Sequence, residues 1–240
     1  MTREQARNKI IFALDVDNIN EIDRWAEMLS NKVGMFKVGK ELFTSAGPAA
    51  VSAVKQYGGE VFLDLKYHDI PNTVAQAMLA AGRLGVKLAN LHALGGPEMM
   101  EKAVKAVRSE FGETERPHLL AVTILTSSTQ ETLKAVGIEY PIEQMVVRLA
   151  KLAKESGMDG VVASPLEIQA IRAACGSDFL IVTPGVRPSF AAADDQKRIM
   201  TPSEAVKAGA DYLVIGRPIA KASNPKQAAD TIVDEILAGA

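Results

Sequence analysis

The sequence contains a single cysteine, Cys175, and no excess of charge of either sign. One cysteine cannot form an internal disulfide or a cysteine-based zinc site, so it fits a reducing compartment and we expect a cytoplasmic protein. The 27 Lys and Arg residues nearly balance the 29 Asp and Glu residues, which leaves a formal net charge of -2 at pH 7. This balance argues against a nucleic-acid partner and against binding to an anionic membrane surface.

Long apolar runs are also missing. The charged N-terminal residues 1–5 lead into an apolar run from Ile10 to Leu14, far shorter than the roughly 18 apolar residues of a membrane span. We therefore expect neither a signal peptide nor a membrane anchor. Linkers rich in Pro, Ser or Gly and low-complexity tracts are missing too, so we expect residues 1–240 to form a single domain with a large core.

What the sequence does contain is an eightfold alternation of short β-branched apolar runs with longer segments of helical period. The predicted strands are Ile10–Val16, Met35–Lys40, Glu60–Lys66, Lys87–Ala93, His118–Leu125, Gly160–Ser164, Phe179–Thr183 and Tyr212–Gly216. The predicted helices are Glu21–Ser30, Ala46–Tyr57, Thr73–Leu84, Glu98–Phe111, Ile142–Ser156, Leu166–Ala174, Pro202–Ala208 and Pro225–Leu237. Such an alternation indicates βα units and a parallel sheet.

Eight βα units in 240 residues predict an α/β fold, the (β/α)8 TIM barrel. The alternative is an open doubly wound sheet, which more often has five or six strands and a glycine-rich phosphate turn after the first strand. Here the end of the first predicted strand and the residues after it, from Leu14 to Asn18, contain no glycine. The barrel is therefore favoured.

Charged residues interrupt the apolar runs near the C-terminal ends of the strands, where barrels have their active sites. Asp15 lies at the end of strand one, Lys37 lies in strand two, and Asp64 and Lys66 end strand three. Side chains two apart on a strand point to the same face, so Asp64 and Lys66 should project together. A buried structural ion pair is the alternative explanation, but the additional charged residues nearby favour a functional site.

A third carboxylate, Asp69, follows in the loop after strand three, where Pro71 and the Asn72-Thr73 pair mark a helix start. Because Asp69 lies an odd number of positions past Lys66, it could not share the face of Lys66 even if the strand continued. Asp69 must therefore fold back within its own chain or reach a neighbouring chain. The spacing leaves both possibilities open.

The segment from Asp64 to Thr73 resembles the D-x-K-x-x-D-I-P-N-T signature of the orotidine 5'-phosphate decarboxylase family. Further segments resemble the family along essentially the whole chain, at residues 13–15, 36–39, 183–187 and 215–219. The resemblance implies a homodimeric barrel that uses no cofactor and no metal ion. Its reaction would convert orotidine 5'-monophosphate to UMP in de novo pyrimidine synthesis.

The same resemblance assigns roles to individual residues. The catalytic positions correspond to Lys37, Asp64, Lys66 and Asp69. Lys66 would donate a proton to C6 of the pyrimidine, and Asp69 resembles the member of the network that the partner subunit supplies. Ile70 and Thr73 accompany Asp69 across the interface. The ribose hydroxyls are assigned to Asp15 and Lys37.

Isolated arginines beside glycines follow strands seven and eight, where barrels commonly bind phosphate. Strand seven leads into the segment from Pro184 to Arg187, and strand eight leads into Gly216-Arg217. Glycine permits close approach of the backbone, and an arginine can form paired hydrogen bonds with phosphate oxygens. We expect the phosphate end of the substrate at Pro184, Arg187, Gly216 and Arg217.

Two further segments complete the predicted site. Residues 188–201 are long for a barrel loop and have no clear period, which predicts a mobile lid. By resemblance, Gln196 contacts the phosphate when this lid closes. At the end of strand five, hydroxyl groups can recognise the amide edge of a pyrimidine. The resemblance assigns this role to Thr126, with the adjacent Ser127 as its competitor.

Two other functions compete with this assignment. A magnesium-dependent sugar-phosphate decarboxylase or aldolase on the same barrel shares an Asp-x-Lys strand. Its metal site needs extra carboxylates at strand ends, and strands four to six offer none that is obvious. A non-catalytic barrel that binds a phosphorylated metabolite would explain Arg187 and Arg217, but it leaves Asp64, Lys66 and Asp69 without a role.

Overall fold

The computed structural model describes residues 1–190 and 200–239. Eight parallel strands follow one another around a closed barrel in sequence order, and the last strand pairs with the first. The strands are β1 Ile10–Leu14, β2 Met35–Gly39, β3 Glu60–Tyr67, β4 Leu88–His92, β5 His118–Val122, β6 Gly160–Val162, β7 Leu180–Pro184 and β8 Tyr212–Ile215. The predicted (β/α)8 TIM barrel is confirmed, because each predicted strand coincides with one of these elements.

Helices surround the barrel. They are α1 Arg3–Asn8, α2 Asn20–Leu29, α3 Lys40–Ala46, α4 Ala49–Gln56, α5 Pro71–Arg83, α6 Pro97–Glu110, α7 Gln130–Ala135, α8 Ile142–Glu155, α9 Ile168–Cys175, α10 Pro202–Ala208, α11 Arg217–Ala220 and α12 Pro225–Ala238. Within the two described ranges, none of them combines the length and the apolar character needed to span a membrane.

The helix predicted over Ala46–Tyr57 corresponds to α4, which begins three residues later, and the preceding helix α3 was not predicted. The structure has two helices in this region, separated at Gly47 and Pro48. Gly47 has a φ of 59°, which ends α3, and a glycine adopts this conformation without steric penalty. Pro48 has no backbone N–H to continue a helical ladder, so α4 starts anew after it.

Side chains along each strand alternate between the barrel interior and the layer beneath the helices. On β1, Ile11 and Ala13 belong to the interior cluster. Phe12 faces outward and contacts Trp25 of α2, with the two ring centroids 5.2 Å apart. The strand is therefore buried on both faces, which explains its continuous apolar sequence.

The same alternation carries charged side chains to one end of the barrel interior. On β2, the interior residue Met35 is followed two positions later by Lys37, and on β3, Phe62 is followed by Asp64. These positions are close to the C-terminal ends of their strands. The interior thus changes from apolar to charged at the end where barrels have their active sites.

The opposite end of the barrel contains a different ion pair, between Arg116 and Asp159. Two guanidinium nitrogens donate hydrogen bonds of 2.7 and 2.8 Å to the carboxylate of Asp159, which also accepts 2.7 Å from the backbone N–H of Leu119. Burial alone would raise the pKa of Asp159, but the side chains of His118 and Arg116 lower it well below its usual range. This pair ties the segments before β5 and β6 together.

We expect Asp159→Ala to lower the free energy of unfolding by about 3 kcal/mol at pH 7, because it leaves the buried guanidinium of Arg116 without its main partner. The pKa of Asp159 lies lower in the folded chain than the roughly 3.9 of an unfolded chain. The stabilisation is therefore fully present above about pH 4 and is lost as the pH falls toward the folded pKa. Urea unfolding at several pH values measures both effects.

A matched control is Glu113→Ala, which removes the exposed partner of the same Arg116. Because an exposed ion pair contributes little, we expect a loss below about 1 kcal/mol. An equally small loss for Asp159→Ala would contradict the stabilising role of the buried pair.

Candidate active site

Four charged side chains form a row across the C-terminal ends of β1, β2 and β3. The Nζ atom of Lys37 lies 2.9 Å from Oδ1 of Asp15 and 3.8 Å from Oδ2 of Asp64. The Nζ atom of Lys66 donates a hydrogen bond of 2.6 Å to Oδ1 of Asp64. Because negative and positive groups alternate along this charged row, every contact between neighbours is attractive.

Asp64 is the most buried member of the charged row, with 8% of its surface exposed. Burial alone would raise its pKa. The ammonium groups of Lys66 and Lys37, with hydrogen bonds from Lys66 and Asn90, outweigh burial and lower the pKa of Asp64 below its usual value. Asp64 is therefore ionised at neutral pH.

The backbone at Lys66 departs from regular strand geometry. In the described part of the chain, Lys66 is the only non-glycine residue with a positive φ, at 52°, a conformation that costs an L-residue about 1–2 kcal/mol. The pairing with β4 changes at the same place, because Leu63 lies opposite Ala89 whereas Tyr67 lies opposite Leu91. β3 therefore bulges between Leu63 and Tyr67.

Asn90 on β4 is part of this arrangement, although the sequence analysis did not single it out. Asn90 is fully buried, and its Nδ2 donates a hydrogen bond of 2.7 Å to Oδ1 of Asp64. Its Oδ1 accepts a hydrogen bond of 2.8 Å from the backbone N–H of Lys66. One feature of the sequence could have pointed to Asn90. It is a polar residue on an apolar strand, two positions after Leu88, which faces the barrel interior.

The charged row faces a cavity of about 200 Å³ at the mouth of the barrel. Its charged side is formed by Lys37, Asp64 and Lys66. Its other walls are mainly apolar and include Ile124, Leu125, Val162, Pro184 and Val214. Apolar walls with a few convergent charged groups are typical of a small-molecule site.

Thr126 lines this cavity, and its neighbour Ser127 is exposed. Of the two hydroxyl residues left open by the sequence, Thr126 is thus the one that the structure brings to the cavity. Gln196 lies outside the described residues.

The predicted phosphate residues lie at the ends of β7 and β8. Pro184 lines the cavity, and Arg187 is buried three positions later, with 6% of its surface exposed. Gly216 approaches the charged row so closely that a Cβ atom built on it would lie 3.6 Å from Oδ2 of Asp15. Arg217 begins α11 directly after Gly216. Of these residues, Pro184 lines the cavity itself and Gly216 lies beside Asp15 of the charged row.

Asp69, Ile70 and Thr73 are not brought to the charged row. Asp69 is exposed, and its carboxylate accepts a hydrogen bond of 2.6 Å from the backbone N–H of Ile70. Ile70 is 66% exposed, and Thr73 is exposed on the first turn of α5. Within one chain, Asp69 therefore does not fold back onto Lys66.

Two histidines lie beside the charged row, His68 after β3 and His92 at the end of β4, with ring centroids 5.6 Å apart. Burial lowers the pKa of His92 to about 4, and electrostatic interaction with His68, Lys40 and Lys66 acts in the same direction. His92 is therefore neutral at pH 7 and adds no charge to the row.

A larger depression, of about 640 Å³, lies along the outer surface of α8. The described residues that line it come from Tyr140 and from α8 itself, including Glu143, Arg148 and Lys151. Residues of one helix face without a strand end do not assemble convergent catalytic groups. The smaller cavity at the strand ends is therefore the candidate active site.

Comparison with known proteins agrees with this geometry. A family model described as "Orotidine 5'-phosphate decarboxylase / HUMPS family" matches residues 8–232. Orotidine 5'-phosphate decarboxylase of Trichlorobacter lovleyi is 86% identical over 239 residues, covering 100% of this chain and 99% of that protein. The protein of the same name from Pelobacter propionicus is 73% identical, also covering 100% of this chain and 99% of its own.

A solved structure gives the same result in three dimensions. The crystal structure of orotidine 5'-phosphate decarboxylase from Lactobacillus acidophilus superposes with a TM-score of 0.84 at 40% sequence identity. The match covers 95% of this chain and 98% of that one. The chain therefore belongs to the orotidine 5'-phosphate decarboxylase family.

Proposed function

We propose that the charged row is the catalytic machinery with which this barrel decarboxylates orotidine 5'-monophosphate to UMP. The reaction itself follows from the family, whose full-length relatives bear the name of this enzyme of pyrimidine biosynthesis. The role of the row rests on one observation, the contact of the buried Asp64 with two ammonium groups beside the cavity.

Decarboxylation at C6 needs a positively charged group held in place beside the reacting carbon. Loss of CO2 breaks the bond between C6 and the carboxylate carbon and leaves the electron pair in an orbital that the pyrimidine ring cannot delocalise. A preorganised ammonium group stabilises that charge without the reorganisation that water would need. Lys66 supplies this group and then transfers a proton to C6, and its amine takes up a proton from solvent to complete the cycle.

Asp64 and Lys37 position the proton donor. The hydrogen bond of 2.6 Å from Lys66 to ionised Asp64 fixes the ammonium group at the cavity wall. Lys37 joins Asp64 to Asp15, and we assign Asp15 and Lys37 to the ribose hydroxyls. Thr126, which lines the cavity, is assigned to the pyrimidine edge.

The phosphate end of the substrate is assigned to the loops after β7 and β8. Gly216 allows the backbone to approach, Pro184 lines the adjoining cavity, and Arg187 and Arg217 supply guanidinium groups. Gln196 is proposed as a further phosphate contact. Because the phosphate lies far from the bond that breaks, its binding energy is available to order the site for reaction.

We propose that the enzyme works as a homodimer in which each chain supplies Asp69 to the site of its partner. Asp69 is exposed and makes no contact with the charged row within the described residues of its own chain. Ile70 beside it is 66% exposed, and Leu94 after β4 is 44% exposed. Apolar side chains of this size at the ends of neighbouring strands suit contact with a second copy.

The cysteine content bears on the cellular compartment of the enzyme. The lone cysteine, Cys175, is buried and suits the reducing cytoplasm, where we place the enzyme. We propose that residues 1–240 form one domain, and that substrate and a second copy are its partners rather than nucleic acid or a membrane.

The magnesium-dependent alternative fits the site less well. A metal site on β3 would need free oxygens of Asp64 together with further carboxylates. Oδ1 of Asp64 accepts hydrogen bonds from both Lys66 and Asn90, and Oδ2 faces Lys37 at 3.8 Å. Two ammonium groups at one carboxylate disfavour a divalent cation there, so we propose a reaction without metal ion or cofactor.

We expect Lys66→Ala to lower kcat for conversion of orotidine 5'-monophosphate to UMP by at least about 100-fold, because it removes both the stabilising charge and the proton donor. UMP contains no carboxylate at C6, so its affinity, measured by calorimetry, should change by less than about tenfold. Lys151→Ala on the exposed face of α8 is the matched control and should keep wild-type kcat. More than a tenth of the wild-type kcat in Lys66→Ala would remove Lys66 from this role.

If two chains share each active site, dimers formed from two different inactive variants should regain activity. In a mixture of Asp69→Ala and Lys66→Ala chains, each mixed dimer has one site with both lesions and one intact site. Since random exchange makes half of the dimers mixed, activity should recover to about a quarter of the wild-type value per chain. Activity after confirmed subunit exchange, measured by native mass spectrometry, checks this.

A mixture of Asp64→Ala and Lys66→Ala chains is the control for this experiment. Because Asp64 and Lys66 of one chain contact each other, every site in that mixture has a lesion and activity should stay at the single-mutant level. If the Asp69→Ala mixture behaves in the same way, Asp69 acts within its own chain and the shared site is wrong.

A further inference from the structure

Asn90 occupies the gap that opens between β3 and β4 where their pairing shifts. The strands are in register at Leu63 and Ala89 and again at Tyr67 and Leu91. Between these two points β3 contains more residues than β4, so its backbone groups cannot all pair across the ladder. Asn90 lies on β4 inside this interval, with no exposed surface.

The amide of Asn90 replaces the missing ladder contacts. Its oxygen accepts from the backbone N–H of Lys66 at 2.8 Å, and its nitrogen donates to Oδ1 of Asp64 at 2.7 Å. The same oxygen of Asp64 accepts from Nζ of Lys66 at 2.6 Å. One side chain thus binds the backbone of the proposed proton donor and the carboxylate that holds its ammonium group.

The two partners fix the chemistry required at position 90. An N–H partner needs an acceptor and an ionised carboxylate needs a donor, and a buried amide supplies both from one planar group. An apolar side chain of similar size would leave the N–H of Lys66 buried without a partner. An ionised carboxylate could accept from Lys66 but would repel Asp64.

We infer that Asn90 is a positioning residue for the reaction, which holds Lys66 in its left-handed backbone conformation and keeps Asp64 and Lys66 in contact. Lys66 has a φ of 52°. Because of the bulge, its backbone N–H is not part of the ladder between the strands, and it donates to Asn90 instead. Without this bond, the backbone of Lys66 is free to relax toward regular strand geometry and to carry the ammonium group away from the cavity. This inference rests on the proposed role of Lys66.

The charged and titratable groups around Asn90 are few. Asp64 and Lys66 face it from β3, Lys37 contacts Asp64 from β2, and His92 is two positions away on β4. On β5, the residue opposite Asn90 is the apolar Leu120. A new acid at position 90 would therefore titrate next to one carboxylate and two ammonium groups.

The test uses Asn90→Asp, which keeps the shape of the side chain but can donate to Asp64 only while the introduced acid is protonated. We expect kcat at pH 8 to fall at least about tenfold while KM changes less than about threefold, since the groups that bind substrate remain. As the pH is lowered and the acid takes up its proton, kcat should recover toward wild type. Kinetics across pH 5 to 9 measure this profile.

Asn90→Ala is the companion variant, and it should lose kcat without recovery at low pH because it has no group to protonate. If Asn90→Asp does not fold, the pH profile of Asn90→Ala tests the inference instead. The quantity to follow is the fall of kcat/KM on the acidic side of that profile. Loss of the amide donor raises the pKa of Asp64 and moves that limb to higher pH. Circular dichroism and UMP binding establish that each variant is folded.

Two results would overturn the inference. The first is that the folded variants keep the wild-type pH profile and a kcat within about twofold of the wild-type value. The second is that kcat falls only in proportion to the amount of folded protein. A failure of the proposed function can be distinguished from a failure of this inference. It would appear as catalytic activity in Lys66→Ala. Inactive Lys66→Ala with unaffected Asn90 variants defeats the role of Asn90 alone.

Discussion

The buried carboxylate of Asp64 is the group on which the rest of the site depends. Removing a charge from water costs several kcal/mol unless charged and hydrogen-bonding partners surround it. Lys37, Lys66 and Asn90 supply those partners. The positive φ of Lys66 and the shifted pairing of β3 with β4 are the backbone distortions that bring them together.

The two ends of the barrel use similar ion pairs for different purposes. At the N-terminal end, Arg116 and Asp159 satisfy each other and a backbone N–H. At the C-terminal end, Asp64 joins two ammonium groups beside a cavity with apolar walls. The first arrangement fixes strand positions, whereas the second presents charge to a bound molecule.

Sequence patterns predicted the features that depend on local periodicity. The position of Lys37 and Asp64 near the ends of their strands predicted a charged site there, and the spacing of Asp64 and Lys66 predicted that the two side chains project together. The bulge and the role of Asn90 depend on pairing between two strands, which no local pattern expresses. The break at Gly47 was missed because its neighbours favour a helix, and the spacing of Asp69 could not decide whether it folds back within its own chain.

The site works only if Asp64 is ionised while it holds two ammonium groups. The 13C chemical shift of the Asp64 carboxyl carbon as a function of pH measures this ionisation, with Asp64→Asn to identify the signal. We predict no titration from about pH 8 down to about pH 4.5, because the pKa of Asp64 lies below the ordinary value of 3.8. A midpoint above about pH 5 would contradict the account, since a largely neutral Asp64 could not hold both ammonium groups.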